Sequence, residues 1–372
     1  MNSTLSGFAA YPSSLREVRE TLSRLPREAE TRRLPFKIHT WENNDVAGYC
    51  LVDPILEQIN TSDFLLADIT CLNFNVVYEI GYAMAKSKRV VLLQNKAIRP
   101  QSDLMRELGL FDTIGWKSYT NSDDLCEYLR GLTSIRALRV PERKKANLRP
   151  FFVVWPSQRT ESEIRLLSRI KKQARLGFQQ FDPQEDNRLP VNRALDEVVN
   201  AYGVLLPLIS SNRNDAIVHN LRCAFVAGLA HGLDRETLIL QAGGEPVPLD
   251  LRDAVSFYSE PEAIDQLLAD FTPKVFARTL QHAQTEFPAL VTPIQQLQIG
   301  ASAAENEHDD LGSYYIQTEE FQRVVRGEIQ VVTGRKGSGK TALFYQVRNK
   351  IRSDKRNVVL DLNPEGFQLR KF

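Results

Sequence analysis

A chain that spells one alternation of strand and helix twice over can fold in few ways, and residues 1–275 do so. Tyr11-Pro12-Ser13 follows a short apolar run, and Trp155-Pro156-Ser157 follows Phe151-Phe152-Val153-Val154. Leu56-Glu57-Gln58-Ile59-Asn60 matches Asp196-Glu197-Val198-Val199-Asn200, each ahead of an apolar strand, at 64–70 and at 204–210. Gly81-Tyr82-Ala83 and Gly228-Leu229-Ala230 then sit in helical stretches that lead into strands at 90–94 and 237–241. Each copy closes with a tyrosine, Tyr119 or Tyr258, ahead of another helix. The strands are continuous apolar runs, the pattern of parallel strands covered on both faces. The fold class read from this is α/β, two tandem doubly wound parallel sheets. Ligands bind such sheets at the carboxyl ends of the strands, near a topological switch point. Tyr11, Pro12 and Ser13, and the segment from Asp68 onward, lie at such ends.

The domain reading is 1–133 for the first copy, 148–275 for the second, a helical linker over 276–310 and a final domain over 311–372. Charged residues between the copies, Arg136, Arg139, Arg143, Lys144, Lys145 and Arg149 among them, read as a solvated linker. With 42% hydrophobic and 25% charged residues the chain can bury ordinary cores. A net charge of +1 carries no bulk signal for nucleic acid. No apolar run approaches the roughly 20 residues that span a bilayer, and no signal peptide opens the chain. The four cysteines lack metal-ligand spacing, and reduced thiols in the cytoplasm are the expectation.

Near the end, Gly334-Arg335-Lys336-Gly337-Ser338-Gly339-Lys340-Thr341 fits the phosphate-loop pattern in full. An apolar strand at 329–333 before it and a helix after it would complete the required context. Glycines turn backbone N–H groups toward phosphates, and the helix N-terminus favours their charge. Lys340 is expected to reach the β- and γ-phosphates of ATP, and the Thr341 hydroxyl to ligate Mg²⁺, with Gly334, Gly337, Ser338 and Gly339 shaping the cradle. With Leu311-Gly312-Ser313-Tyr314-Tyr315 and a helix at 318–325, this region resembles the start of a STAND-type P-loop ATPase. Such an enzyme also needs an acid on a later strand. Asp361 comes very early for that role, so the ATPase domain reads as incomplete.

The stretch Ala67-Asp68-Ile69-Thr70-Cys71-Leu72-Asn73-Phe74-Asn75-Val76-Val77-Tyr78-Glu79-Ile80-Gly81-Tyr82-Ala83 resembles the nucleoside 2-deoxyribosyltransferase family and its TIR-like nucleotide-binding relatives. That resemblance covers roughly residues 5–130. It implies a flavodoxin-like fold and a nucleoside or dinucleotide ligand, with Glu79 attacking the anomeric carbon to release the base. A carboxylate on the sugar face can trap an oxocarbenium-like state. Asn75 is read as the helix cap, which puts Glu79 in the first turn, and Gly81 and Ala83 as the face packed on the sheet. Where the family carries an aspartate, Asn73 stands, able to bond ligand but not to shuttle protons. Asp68 is the nearest alternative acid, or an Asx cap at the strand end.

The second copy has Val226 in place of Glu79 and, on this alignment, Leu208 in place of Asp68. An insertion at 211–218 interrupts its loop, and His219, Asn220 and Arg222 read as structural or partner-facing. The leading expectation is a nucleoside or NAD N-glycosidase module coupled to an ATP-driven switch, as in bacterial defence or signalling proteins. A nucleotide sensor without turnover and an oligomerisation scaffold remain open. Expected partners are a nucleotide or nucleoside and further copies of the chain, with no membrane.

Overall fold

The computed structural model describes residues 5–44, 52–99, 101–132, 136–143, 149–173, 177–247, 249–286, 315–316, 318–335, 338–353, 356–357 and 359. Two compact units divide the chain, one formed by residues 1–173 and 178–287, the other by 174–177 and 288–372.

In the first unit the elements run β1 (Leu5–Ala10), α1 (Arg16–Thr31), β2 (Phe36–Thr40), α2 (Val52–Thr61), β3 (Phe64–Asp68), α3 (Phe74–Ala85), β4 (Arg89–Asn95), α4 (Ser102–Leu108), β5 (Trp116–Tyr119) and α5 (Ser122–Arg130). The second copy follows as β6 (Phe151–Val154), α6 (Glu161–Gln173), β7 (Phe178–Phe181), α7 (Val191–Asn200), β8 (Gly203–Leu208), α8 (Ala216–Gly232), β9 (Glu236–Ala242), β10 (Val255–Tyr258) and α9 (Ala263–Glu286). Each copy forms a five-stranded sheet, ordered β2-β1-β3-β4-β5 and β10-β9-β8-β6-β7. All the strand pairs are parallel. Counted from its own first strand, each copy has the order 2-1-3-4-5, a doubly wound α/β sheet with its switch point between strands 1 and 3.

The register corrects one sequence alignment. Gly7 pairs Phe64 and Arg89 pairs Phe64, whereas Phe151 pairs Gly203 and Glu236 pairs Gly203. Phe64 therefore corresponds to Gly203, and the counterpart of Asp68 is Pro207 rather than Leu208. One residue of slip exchanges the faces of a strand, so apolar similarity alone could not place it.

Strand alternation sorts the first sheet's side chains onto two cores. Ala9, Tyr11, Phe64, Leu66, Val91 and Leu93 meet α1 and α5 through Val18, Leu22, Leu25, Leu125 and Leu129. Phe8, Ala10, Leu65, Ala67, Ile69 and Leu92 meet α2 and α3, and that core continues through α8 and α7 to Phe152, Val154, Val204 and Leu206 of the second sheet. The two copies thus share one core, with α3 packed on α8.

That packing revises the role given to Gly81. A Cβ on Gly81 would overlap the Phe225 carbonyl oxygen and stand 3.1 Å from Leu229 N. One on Gly228 would overlap the Tyr78 carbonyl oxygen and stand 2.8 Å from Tyr82 N. Phe225, Gly228 and Leu229 are the copy-two counterparts of Tyr78, Gly81 and Tyr82, so the contact is reciprocal, as in an isologous interface. The glycines let two helix backbones touch across the copies rather than helix on sheet. The linker is also more than solvated charge: Arg143 lies 4.0 Å over the Tyr202 ring and donates to Val199 O and Ala201 O, closing the C-terminus of α7.

In the second unit, α10 (Glu319–Val325) and α11 (Lys340–Arg352) form as expected, and the Thr318 side chain caps the former. The strand expected at 329–333 does not form: those residues join no sheet, and Val331 is 75% exposed. A strand takes its hydrogen bonds from a neighbour, and none flanks it among the described residues. Residues 311–314, 336–337 and 360–372, which include Gly337 and Asp361, lie outside the described set.

Candidate functional site

The first sheet's strand ends gather the residues singled out in copy one. Ala10 pairs Ala67, so Tyr11-Pro12-Ser13 leaves β1 beside Asp68 at the end of β3. Tyr11 and Pro12 are buried and Ser13 is exposed. The Tyr11 ring packs 6.1 Å from Trp41, and burial raises its phenol pKa.

Asp68 is fully buried, and both its oxygens are committed. Thr70 N donates to Oδ1 at 3.0 Å, and Thr70 Oγ1 and Tyr119 Oη donate to Oδ2 at 3.1 and 2.7 Å. Thr70 Oγ1 also accepts from Asn95 N at 2.8 Å, so one network ties the ends of β3, β4 and β5. Burial raises the Asp68 pKa while these donors hold it down, and burial beside Asp68 raises that of Tyr119. The first part of that network is the Asx turn considered from sequence. Thr70, Asn95 and Tyr119 were missed as its partners, although the matched tyrosines 119 and 258 were the available signal.

Glu79 is carried by α3. Asn73, not Asn75, caps α3, its Oδ1 accepting from Asn75 N and Val76 N at 2.9 and 3.3 Å. The helix starts at Phe74, so Glu79 lies in the second turn, about 7–8 Å along the axis from the first residue. It is 6% exposed. Asn75 Oδ1, in the first turn, is buried without a hydrogen-bond partner. Because α3 covers the face that carries Leu65, Ala67 and Ile69, Asp68 bonds its partners on the opposite face. Asp68, the alternative acid, is thus held in its own network at the end of β3, while Glu79 is carried by α3.

Copy two departs at each point. Pro207 replaces Asp68 and Val226 replaces Glu79. Asn220, the counterpart of Asn73, does not cap: it accepts from Ile209 N and donates to Ile209 O. The insertion is not only loop, since α8 already begins at Ala216. Arg222 donates to Leu108 O, Glu107 O and Asn187 O, joining copy one's α4 to copy two; burial lowers its pKa to about 10, which leaves it charged at neutral pH.

In the second unit the loop wraps the lysine. Lys340 Nζ donates to Gly334 O at 2.7 Å and Arg335 O at 2.8 Å, and lies 3.4 Å from Ser338 Oγ. Gly339 takes φ +80°, a left-handed value natural to glycine, and α11 starts at Lys340 with Thr341 in its first turn. The loop's lysine thus stands at the start of α11 and bonds the loop's own carbonyls, and the flanking strand does not form among the described residues. Among the described residues no cluster of three or more His, Cys, Asp or Glu could hold a metal, and no helix is long and apolar enough to cross a membrane.

The folds and sites describe a duplicated doubly wound α/β protein. The chain matches no protein-family model. It is 32% identical over 74 residues to the "Putative transposon gamma-delta 80.3 kDa protein" of Escherichia coli (strain K12), a match covering 20% of this chain and 11% of that protein.

Proposed function

We propose that copy one binds a nucleoside or dinucleotide at its strand ends and cleaves its N-glycosidic bond with Glu79 as nucleophile. The observation that carries this is the contrast between the copies. The same helix, in the same reciprocal packing, is built with Val226 in copy two, so the fold has no need of an acid there. An acid kept on a 6% exposed residue at a position where the fold does not require one points to chemistry. The strand order, which flavodoxin-like sheets share, and the likeness to deoxyribosyltransferase and TIR-like motifs support the same reading.

The carboxylate bonds to the anomeric carbon as the bond from that carbon to the base nitrogen breaks, and water then releases the sugar. Asp68 is committed to Thr70 and Tyr119, and Asn73 does not titrate. With no second acid assigned, a quaternary base such as nicotinamide suits the reaction, because it leaves neutral without needing a proton. NAD is therefore favoured over deoxynucleosides. In the second unit ATP is proposed at Lys340, with Mg²⁺ on Thr341, coupling the module to a nucleotide switch of the kind used in defence or signalling.

Incubating the full chain with NAD, or with 2′-deoxynucleosides, and separating products by chromatography tests this. Free base is expected, and Glu79→Gln abolishes it with the fold intact; release that survives Glu79→Gln overturns the assignment. Saturable NAD binding without turnover would make copy one a sensor, and neither would leave a scaffold. Lys340→Ala is expected to weaken ATP binding at least tenfold by calorimetry, and unchanged affinity refutes the loop's role.

A further inference from the structure

The peptide unit between Tyr78 and Glu79 touches copy two. The position a Cβ would take on Gly228 overlaps Tyr78 O and stands 3.0 Å from Tyr78 C, so the α8 backbone lies against the unit that supplies the Glu79 nitrogen. One turn further along α8, His231 Nδ1 lies 2.8 Å from Tyr78 Oη, with the rings edge to face at 5.7 Å. The hydroxyl donates in that bond when the ring proton sits on Nε2. Gly232, in turn, stands 2.9 Å from Tyr82 O by the same measure, so the contact continues past Glu79. Tyr82 is held on its other side by Asn60, whose Nδ2 donates to Tyr82 Oη at 2.9 Å. The residues before and after Glu79 are thus clamped, on one side, by a copy that lacks the acid.

We infer that copy two is the positioning partner of Glu79: α8, through Gly228 and His231, fixes the height and rotation of the α3 turn that carries the carboxylate. Copy two then needs no ligand of its own, which is consistent with Pro207 and Val226 at its counterpart positions. Its task is to hold a second-turn side chain that the first-turn cap, Asn73, is too far away to orient. The inference rests on the reading of Glu79 as the group that meets the sugar.

The test uses the full chain and separates positioning from packing. His231→Asn keeps an acceptor near the position of Nδ1, His231→Leu removes it, and Tyr78→Phe removes only the hydroxyl. Thermal unfolding first establishes that each variant is folded. With NAD as probe, Tyr78→Phe and His231→Leu are expected to lower kcat about tenfold with KM changed less than twofold, because a loosened nucleophile loses alignment rather than binding. His231→Asn is expected to stay within about threefold of the parent. The double variant Tyr78→Phe/His231→Leu should be no worse than either single one, since both remove one bond. Unchanged kcat in folded Tyr78→Phe and His231→Leu, alongside loss in Glu79→Gln, overturns the positioning role and leaves the nucleophile standing. Equal losses in His231→Asn and His231→Leu also overturn it, since packing alone would then be at work. If the parent binds NAD without turnover, Glu79 is not a nucleophile and the positioning role is overturned with it. If the parent neither binds nor turns over NAD or deoxynucleosides, the nucleophile reading falls and this inference with it.

Discussion

His219 shows how a single buried group sets a property of the whole chain. Its Nε2 sits 2.6 Å from Pro207 O and 3.4 Å from Cys223 Sγ, while Nδ1 is buried without a partner. Burial pushes its pKa from 6.5 down to about 4. Between those values the unfolded chain takes up a proton that the native chain refuses. Stability is therefore full above about pH 6.5 and is lost as pH falls toward 4, by on the order of 3 kcal/mol. Urea titrations at pH 7 and pH 4.5 measure the loss, and His219→Gln, which keeps a donor toward Pro207 O, should flatten it. A slope unchanged in that variant would assign the acid loss to other groups. Single residues were unevenly legible in the sequence. Asp68 as a strand-end turn was readable because aspartate bonds its own backbone locally. Its bond to Tyr119, 51 positions away, depends on which strands become neighbours.

Between elements, the α3–α8 contact organises the molecule. Gly81→Ala puts a methyl into the Phe225 carbonyl, and relief requires the helices to part. A loss of about 2–3 kcal/mol is expected by chemical denaturation, the upper range for overpacking, because backbone yields less than side chain. Ala substitution at Gly115, which has open space around it, serves as the control. The contact had a signal in the sequence. From Val76 to Ala85 the sequence carries one charged residue, Glu79, and a helix apolar around most of its circumference has packed neighbours on more than one side. That signal was read as helix on sheet, since a pattern of burial does not say which element does the burying.

For the whole molecule, the continuous core predicts that the copies do not separate. Phe8 and Leu65 of one sheet and Phe152 and Val204 of the other belong to one apolar cluster built around the two central helices. Cutting the chain in the linker would expose the α3 or α8 face. Residues 1–133 and 149–287 made separately are expected to self-associate or aggregate in size-exclusion chromatography with light scattering, and to recombine as a 1:1 complex when co-expressed. Two stable monomers would show that the shared core is dispensable.

By itself the sequence determined the parallel sheets, their duplication and the helices that flank them. Those follow from local apolar runs and from a repeat that needs no knowledge of distant contacts. Tertiary structure alone decided that Pro207, not Leu208, answers Asp68, that Asp68 is bonded to Thr70 and Tyr119 across three strand ends, and that copy two grips the helix bearing Glu79. Register, facing and docking are set by hydrogen bonds and packing between segments far apart in the chain, where no local pattern reaches.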